Sequence, residues 1–172
     1  MKIAVLFSLG TEEIEALTPV DILRRAGAEV DVVSVSGEYP KGSHDIIVKA
    51  DKLIENGDLN EYDALVIPGG MPGAKIISEN AIAISGIKQA IESKKLIAAI
   101  CASPAVVLGE HGLIGENKAT CYPADVFVNV LGKNYTGANV EVCGNLITAN
   151  GPKSAMEFSL AICKKLNLTP KF

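Results

Sequence analysis

Of the 4 cysteines in the chain, Cys101 sits where chemistry is easiest to arrange. It directly follows the apolar run Leu96-Ile97-Ala98-Ala99-Ile100 and precedes Ala102-Ser103-Pro104, which opens a short helical pattern. A strand that turns sharply into a helix pushes the residue at the turn out over the sheet edge, as in a nucleophile elbow. Ala102 and Ser103 are small, so another group can approach the sulfur closely. The free N–H groups and partial positive charge of a helix start favour thiolate, so a pKa below the free-cysteine value of about 8.5 is expected. The competing reading is a small buried hydrophobe, the usual fate of an intracellular cysteine. Position, not residue type, raises function to an even alternative.

A carboxyl could serve that thiol. Glu12, Glu13 and Glu15 crowd the start of the first helical pattern, where the macrodipole favours acids. That explanation suffices for Glu12 and Glu13, and periodicity alone favours it for Glu15 too. Glu15, however, is flanked by Ile14 and Ala16, one position from the apolar stripe, and can point inward over the strand ends. A carboxyl buried there has a raised pKa, and can donate a hydrogen bond to a thiolate or move protons. Gly69-Gly70 follows another apolar run. Glycines allow close backbone approach and leave an N–H available, which with the Ala102 N–H would make an oxyanion hole. A Gly-Gly pair more often marks only a turn.

Cofactor signatures are missing. G-x-G-x-x-G does not follow the first strand, and there is no P-loop. Cys101, Cys121, Cys143 and Cys163 form no C-x-x-C pair, so they read as free thiols, not a disulfide framework or a metal site. No cofactor and no metal are expected. The 2 histidines read as solvated surface residues. His111 lies in a Gly-rich turn, and His44 could reach a site only if its loop folds over, or from a partner subunit.

The elements that must position these residues follow from periodicity. Buried strands are predicted at Lys2–Phe7, Glu29–Ser34, Ala64–Ile67, Leu96–Ile100 and, more weakly, Asn145–Thr148. Helices are predicted at Glu13–Ala26, Ala81–Ser93, Pro104–Glu110, Ala124–Leu131 and Lys153–Leu166. Val140–Cys143 and Leu146–Thr148 flank Gly144-Asn145 as a local hairpin. Strands alternating with helices predict an α/β fold: a doubly wound, mostly parallel sheet with helices on both faces. Ligands then bind beyond the carboxyl ends of the strands, where the winding reverses. No linker or repeat divides residues 1–172, so one domain is expected.

Composition agrees. Hydrophobic residues are 48%, aromatics 5% and Trp 0, so the core must be aliphatic, as in buried parallel sheets. Net charge is −4, which leaves no broad basic footprint for nucleic acid or an anionic membrane. The segment from Met1 to Gly10 reads as a first strand, not a secretory leader, and no run is long enough to span a bilayer. A cytoplasmic protein is expected.

Taken together, the acidic cluster ending in Glu15, Val66-Ile67-Pro68-Gly69-Gly70, Ile97-Ala98-Ala99-Ile100-Cys101-Ala102 and Leu146-Ile147-Thr148-Ala149-Asn150-Gly151-Pro152 resemble the ThiJ/PfpI superfamily, most closely its DJ-one branch. The match runs from Val5 to Leu166 and includes Pro19-Val20-Asp21 and Arg24-Arg25-Ala26-Gly27. The resemblance implies a flavodoxin-like three-layer sandwich and a homodimer. It implies that Cys101 is the nucleophile and oxidation-prone thiol and that Glu15 is a protonated carboxyl touching it. Gly70 and Ala102 would supply backbone N–H groups, while Tyr122, Gly69, Asn150 and Gly151 would line the site. Activities attached to that family are cofactor-free glyoxalase and deglycase chemistry on small aldehydes or dicarbonyls, redox sensing, chaperone activity and, in a sister branch, peptidase activity.

The sequence departs from that pattern in two places. Tyr122 in Thr120-Cys121-Tyr122-Pro123 occupies the position where relatives carry histidine, so a Cys-His peptidase or amidase ranks last. Tyrosine, with a pKa of about 10, is a poor base. Asn150-Gly151-Pro152 stands where some relatives have Arg-Gly-Pro, which implies weaker anion affinity there. Two classes remain: an enzyme acting on small dicarbonyls or glycated groups, and a redox sensor or protective protein working through Cys101 oxidation.

Overall fold

The computed structural model covers residues 1–172. The apolar runs become one seven-stranded sheet: β1 (Lys2–Phe7), β2 (Glu29–Ser34), β3 (Lys52–Leu53), β4 (Ala64–Ile67), β5 (Leu96–Ile100), β6 (Val140–Cys143) and β7 (Leu146–Ala149). Its order is β3-β2-β1-β4-β5-β7-β6, and β6 alone runs antiparallel, paired with β7. Every residue of β4, β5 and β7 is buried, which is why these segments read as continuous apolar runs with no alternation.

Helices α1 (Glu13–Arg25), α2 (Gly73–Glu79), α3 (Ala81–Glu92), α4 (Asp125–Leu131) and α5 (Ala155–Lys165) cover the two faces. The Ile and Leu stripe of α1 packs with α5 on one face, in a core holding Phe7, Leu23 and Phe158. The other face carries α2, α3 and α4 over Leu65, Ile67 and Ile97. Each fully buried Leu, Ile or Phe contributes about 1.5–3 kcal/mol from leaving water. Helix α1 ends where Gly27 takes a left-handed φ of 83°, and Ala28 N–H then donates back to Leu23 at 3.1 Å. This is the expected α/β architecture with helices on both sides of a mostly parallel sheet.

Three local differences have physical reasons. Helix α2 grows out of the Pro/Gly cluster, which reads in sequence only as a turn. The last parallel strand runs 146–149, because Asn145 is used in the turn beside Gly144 (φ 58°). Pro104–Gly109 is a six-residue π-helix, and Lys153 belongs to a 3₁₀ turn, Pro152–Ser154, leading into α5. From β1 the chain winds outward to β2 and β3, then returns to the other side of β1 as β4. The loops after β1, β4 and β5 therefore converge at the carboxyl ends where the winding reverses.

Candidate active site at the carboxyl ends of three strands

Cys101 leaves β5 with a φ of 65°, in the left-handed region that a side chain enters only at a cost of about 1–2 kcal/mol. Its surroundings hold it there. The Cys101 N–H donates to Ala149 at 2.9 Å, and its carbonyl accepts from Tyr122 N–H at 2.8 Å. The Ser103 hydroxyl donates to the Pro68 carbonyl at 2.5 Å, tying the turn after β5 to the loop after β4. A strained residue fixed from both sides is the geometry of a nucleophile elbow.

Glu15 comes from the first turn of α1 and is 0% exposed. One oxygen, Oε2, accepts the Gly69 N–H at 2.9 Å, and the carboxyl lies against the Cys101 side chain across Gly69. The other oxygen, Oε1, is buried with no protein donor in normal hydrogen-bond geometry. The three acids have separate tasks. Glu12 caps α1 by accepting Glu15 N–H at 2.8 Å, Glu13 turns to His44, and Glu15 alone enters the site.

The glycines explain how the groups fit. A Cβ on Gly69 would lie 2.7 Å from both Cys101 Cβ and Glu15 Oε2, so only glycine lets its N–H reach the carboxyl. The backbone N–H groups of Gly70 and Ala102 act on the Cys101 thiol, favouring its charged form. The structure thus brings Cys101, Glu15, Gly69, Gly70 and Ala102 into one cluster.

Burial pushes the Glu15 pKa up to about 7. Hydrogen bonds from Cys101 and Gly69 pull against that rise, and the nearby Glu12 adds to it. The expected low-pKa thiolate does not hold in this setting. Burial and the adjacent Glu15 carboxylate push the Cys101 thiol up, and the Gly70 and Ala102 N–H groups offset only part of this. A helix start stabilises a thiolate in open solvent, but here the sulfur is half-buried against an acid. Near neutral pH the thiol therefore keeps its proton while Glu15 lies close to its own titration point.

The remaining residues sort by distance from this cluster. Tyr122 is 46% exposed and lies with Asn150, Gly151 and Lys153 around a groove of about 350 Å³ beside the elbow. The Asn150 amide is used internally: its nitrogen donates to Asn139 at 3.0 Å and its oxygen accepts from Ser154 at 2.7 Å. His111 bonds Ser78, and neither histidine meets the sulfur. Cys121 is buried, and burial pushes its pKa up to about 11.

Sequence reasoning missed the strap formed by residues 40–48. Its loop does fold over, but toward Glu13 and not Cys101. Gly10 N–H donates to Lys41, Ser43 N–H to Thr11 and His44 N–H to Glu13 Oε1. Burial would raise the Glu13 pKa, yet the His44 ring, backbone N–H groups and the Ser43 hydroxyl hold it at about 2. Ligating atoms of Glu12, Glu13 and His44 lie within 4.8 Å of one another, each already engaged in the strap or the cap. The His44 contact depends on a loop path that no periodicity encodes.

Comparison with known proteins agrees with the fold. The family model described as the DJ-1/PfpI family matches residues 1–165. A protein of Arabidopsis thaliana named Protein DJ-1 homolog B is 38% identical over 95% of this chain, which spans only 37% of that protein. Glutathione-independent glyoxalase DJR-1.2 of Caenorhabditis elegans is 32% identical, covering 90% of this chain and 82% of its own. Oxidized DJ-1 of Toxoplasma gondii superposes with a TM-score of 0.91 at 45% identity, covering 96% of this chain and 90% of that one.

Proposed function

The chain belongs to the DJ-1/PfpI family, and from that premise and the Glu15–Cys101 pair we propose that it is a cofactor-independent enzyme converting 2-oxoaldehydes to 2-hydroxy acids. The observation that carries this reading is a fully buried carboxyl, with its pKa raised to about 7, set against a thiol on a strained elbow. A group titrating near neutrality both accepts and returns protons efficiently.

The steps balance without an external oxidant. Glu15 takes the thiol proton as the sulfur adds to the aldehyde carbon. The resulting oxyanion is met by the Gly70 and Ala102 N–H groups and is then protonated to a hemithioacetal. Glu15 next moves the hydrogen of that carbon to the neighbouring carbonyl carbon through an enediol. This leaves a thioester beside a new hydroxyl. Water hydrolyses the thioester, releasing the hydroxy acid and restoring the thiol. Methylglyoxal plus water thus becomes lactate. On a hemiaminal or hemithioacetal adduct, the sulfur would displace the amine or thiol at the same carbon, and the leaving group would depart with a proton; the same enzyme-bound hemithioacetal then forms, which would account for deglycation. The glyoxalase name of the Caenorhabditis elegans relative supports this substrate class. Lactate release from methylglyoxal should fall to background in Cys101→Ser. A variant that keeps the wild-type rate would remove Cys101 from the chemistry.

A second reading is favoured by the unpartnered Oε1 of Glu15. Once protonated, it would donate to an oxygen added to the sulfur. Two equivalents of hydrogen peroxide would take the thiolate through sulfenate to sulfinate, releasing water at each step. Peptide mass spectrometry after mild peroxide should then find two added oxygens on Cys101, with Cys121 and Cys163 spared. Equal oxidation at all the thiols would count against a sensor.

A further inference from the structure

The groove beside the elbow has a charge that the chemistry above does not use. Tyr122, Pro123, Asn150, Gly151, Pro152 and Lys153 line about 350 Å³ of open space. Lys153 is the one charged side chain among them, and no carboxylate faces it across the groove. It is exposed and takes part in none of the ion pairs of the molecule. Even Glu157, one turn further along α5, makes no ion pair with it. Asn150 contributes little polarity, because both ends of its amide are bonded to Asn139 and Ser154.

The groove lies beside the backbone of the elbow. Ile100 and Ala149 are register partners at the ends of β5 and β7, and parallel strands lie about 4.8 Å apart. Cys101 and Asn150 are the next residues on the two strands, joined through the Cys101 N–H to Ala149 bond. Tyr122, which lines the groove, is bonded through its N–H to the Cys101 carbonyl. Gly151 packs under the Tyr122 ring with a φ of 153°, a conformation that side chains rarely adopt.

We propose that Lys153 makes this groove the receptor for an acidic group on the substrate, so that the preferred 2-oxoaldehydes carry a carboxylate or phosphate. The assignment rests on the reading of Cys101 as the nucleophile. A neutral molecule such as methylglyoxal gains nothing from an uncompensated ammonium. An anion whose aldehyde meets the sulfur gains the attraction of one unit charge in a partly open groove, about three- to tenfold in rate.

Alkylation of Cys101 reads this without turnover. Iodoacetate and iodoacetamide attack the same sulfur and differ in charge. At low ionic strength, the ratio of iodoacetate to iodoacetamide rates should fall about three- to tenfold in Lys153→Gln and further in Lys153→Glu. Lys153→Arg should restore it, and 0.5 M KCl should flatten the differences, since screening shortens the reach of the charge. An unchanged ratio in Lys153→Gln would overturn the proposal. Turnover gives the second arm. In Lys153→Gln, kcat/KM should drop more for 4,5-dioxopentanoate or hydroxypyruvaldehyde phosphate than for methylglyoxal. The two anions separate carboxylate from phosphate preference. Equal loss on all three would also overturn the assignment. The alkylation result judges Lys153 alone, whereas absent lactate release by the wild type would sink the enzyme reading.

Discussion

At the scale of single residues, the chemistry depends on where one proton rests. Glu15 has its pKa raised to about 7 from an ordinary 4.5, chiefly by burial. If its carboxylate is the form that accepts the thiol proton, kcat/KM should rise with pH through about 7. Glu15→Gln should flatten that profile and lower the rate about 10²- to 10⁴-fold. Stability carries the opposite sign. A carboxyl whose folded pKa is raised favours the protonated native state, so its contribution is complete below pH 4.5 and is lost as pH climbs to 7. The loss is about 3 kcal/mol by linkage. Thermal melts at pH 4.5 and 7.5 should therefore diverge more in the wild type than in Glu15→Gln; parallel shifts would mean that folding does not raise the Glu15 pKa. Cys101 stood out in the sequence because its place at a strand end is set by local pattern, whereas Glu15 rested on the family resemblance, since periodicity alone assigns it to a helix start. The thiol's direction of shift was not legible there. It depends on a contact between residues from distant loops, and burial there outweighs the helix start.

At the scale of elements, β1, β2, β4 and β5 were readable to the residue: β1, β4 and β5 leave near-continuous apolar runs, and β2 alternates Glu29 and Asp31 with the buried Val30 and Val32. Strand β3 was not, because two residues paired to Val33 and Ser34 carry no period. The strap over α1 was equally hidden, and it has a pH signature of its own. The Glu13 hydrogen bond and charge raise the His44 pKa, while Glu13 is held at about 2. His44 therefore stabilises below its ordinary 6.5 and loses that contribution as pH rises through its higher folded value. Glu13 loses its contribution as pH falls from 4.5 toward 2. The strap is tightest between about pH 4.5 and 6.5. His44→Ala should lower the melting temperature more at pH 5.5 than at pH 9. An equal drop at both would mean the backbone bonds to Gly10 and Thr11 hold the strap without the ring.

At the scale of the whole molecule, the strap leaves a surface that one chain does not cover. Ile14 on α1 is 54% exposed, and Ile46 and Ile47 on the strap are 50% and 64% exposed. The bonds from Ser43 to Thr11 and from His44 to Glu13 draw the strap against the start of α1, where Ile14 lies. Neighbouring elements that each expose large aliphatic side chains form a patch that a partner can bury. We propose that the partner is a second copy, as the family resemblance implies. The low net charge of −4 opposes such pairing only weakly. Light scattering should give twice the 18.0 kDa chain mass at micromolar concentration, and Ile47→Glu should return it to 18.0 kDa. A wild-type mass of 18.0 kDa would rule the pairing out. The consequence reaches the site. Glu15 leaves the same first turn of α1 that exposes Ile14, so a partner seated there would stiffen the turn that aims the carboxyl at Cys101. Ile47→Glu should then slow turnover along with dissociation, although Ile47 lies outside the Cys101–Glu15 cluster.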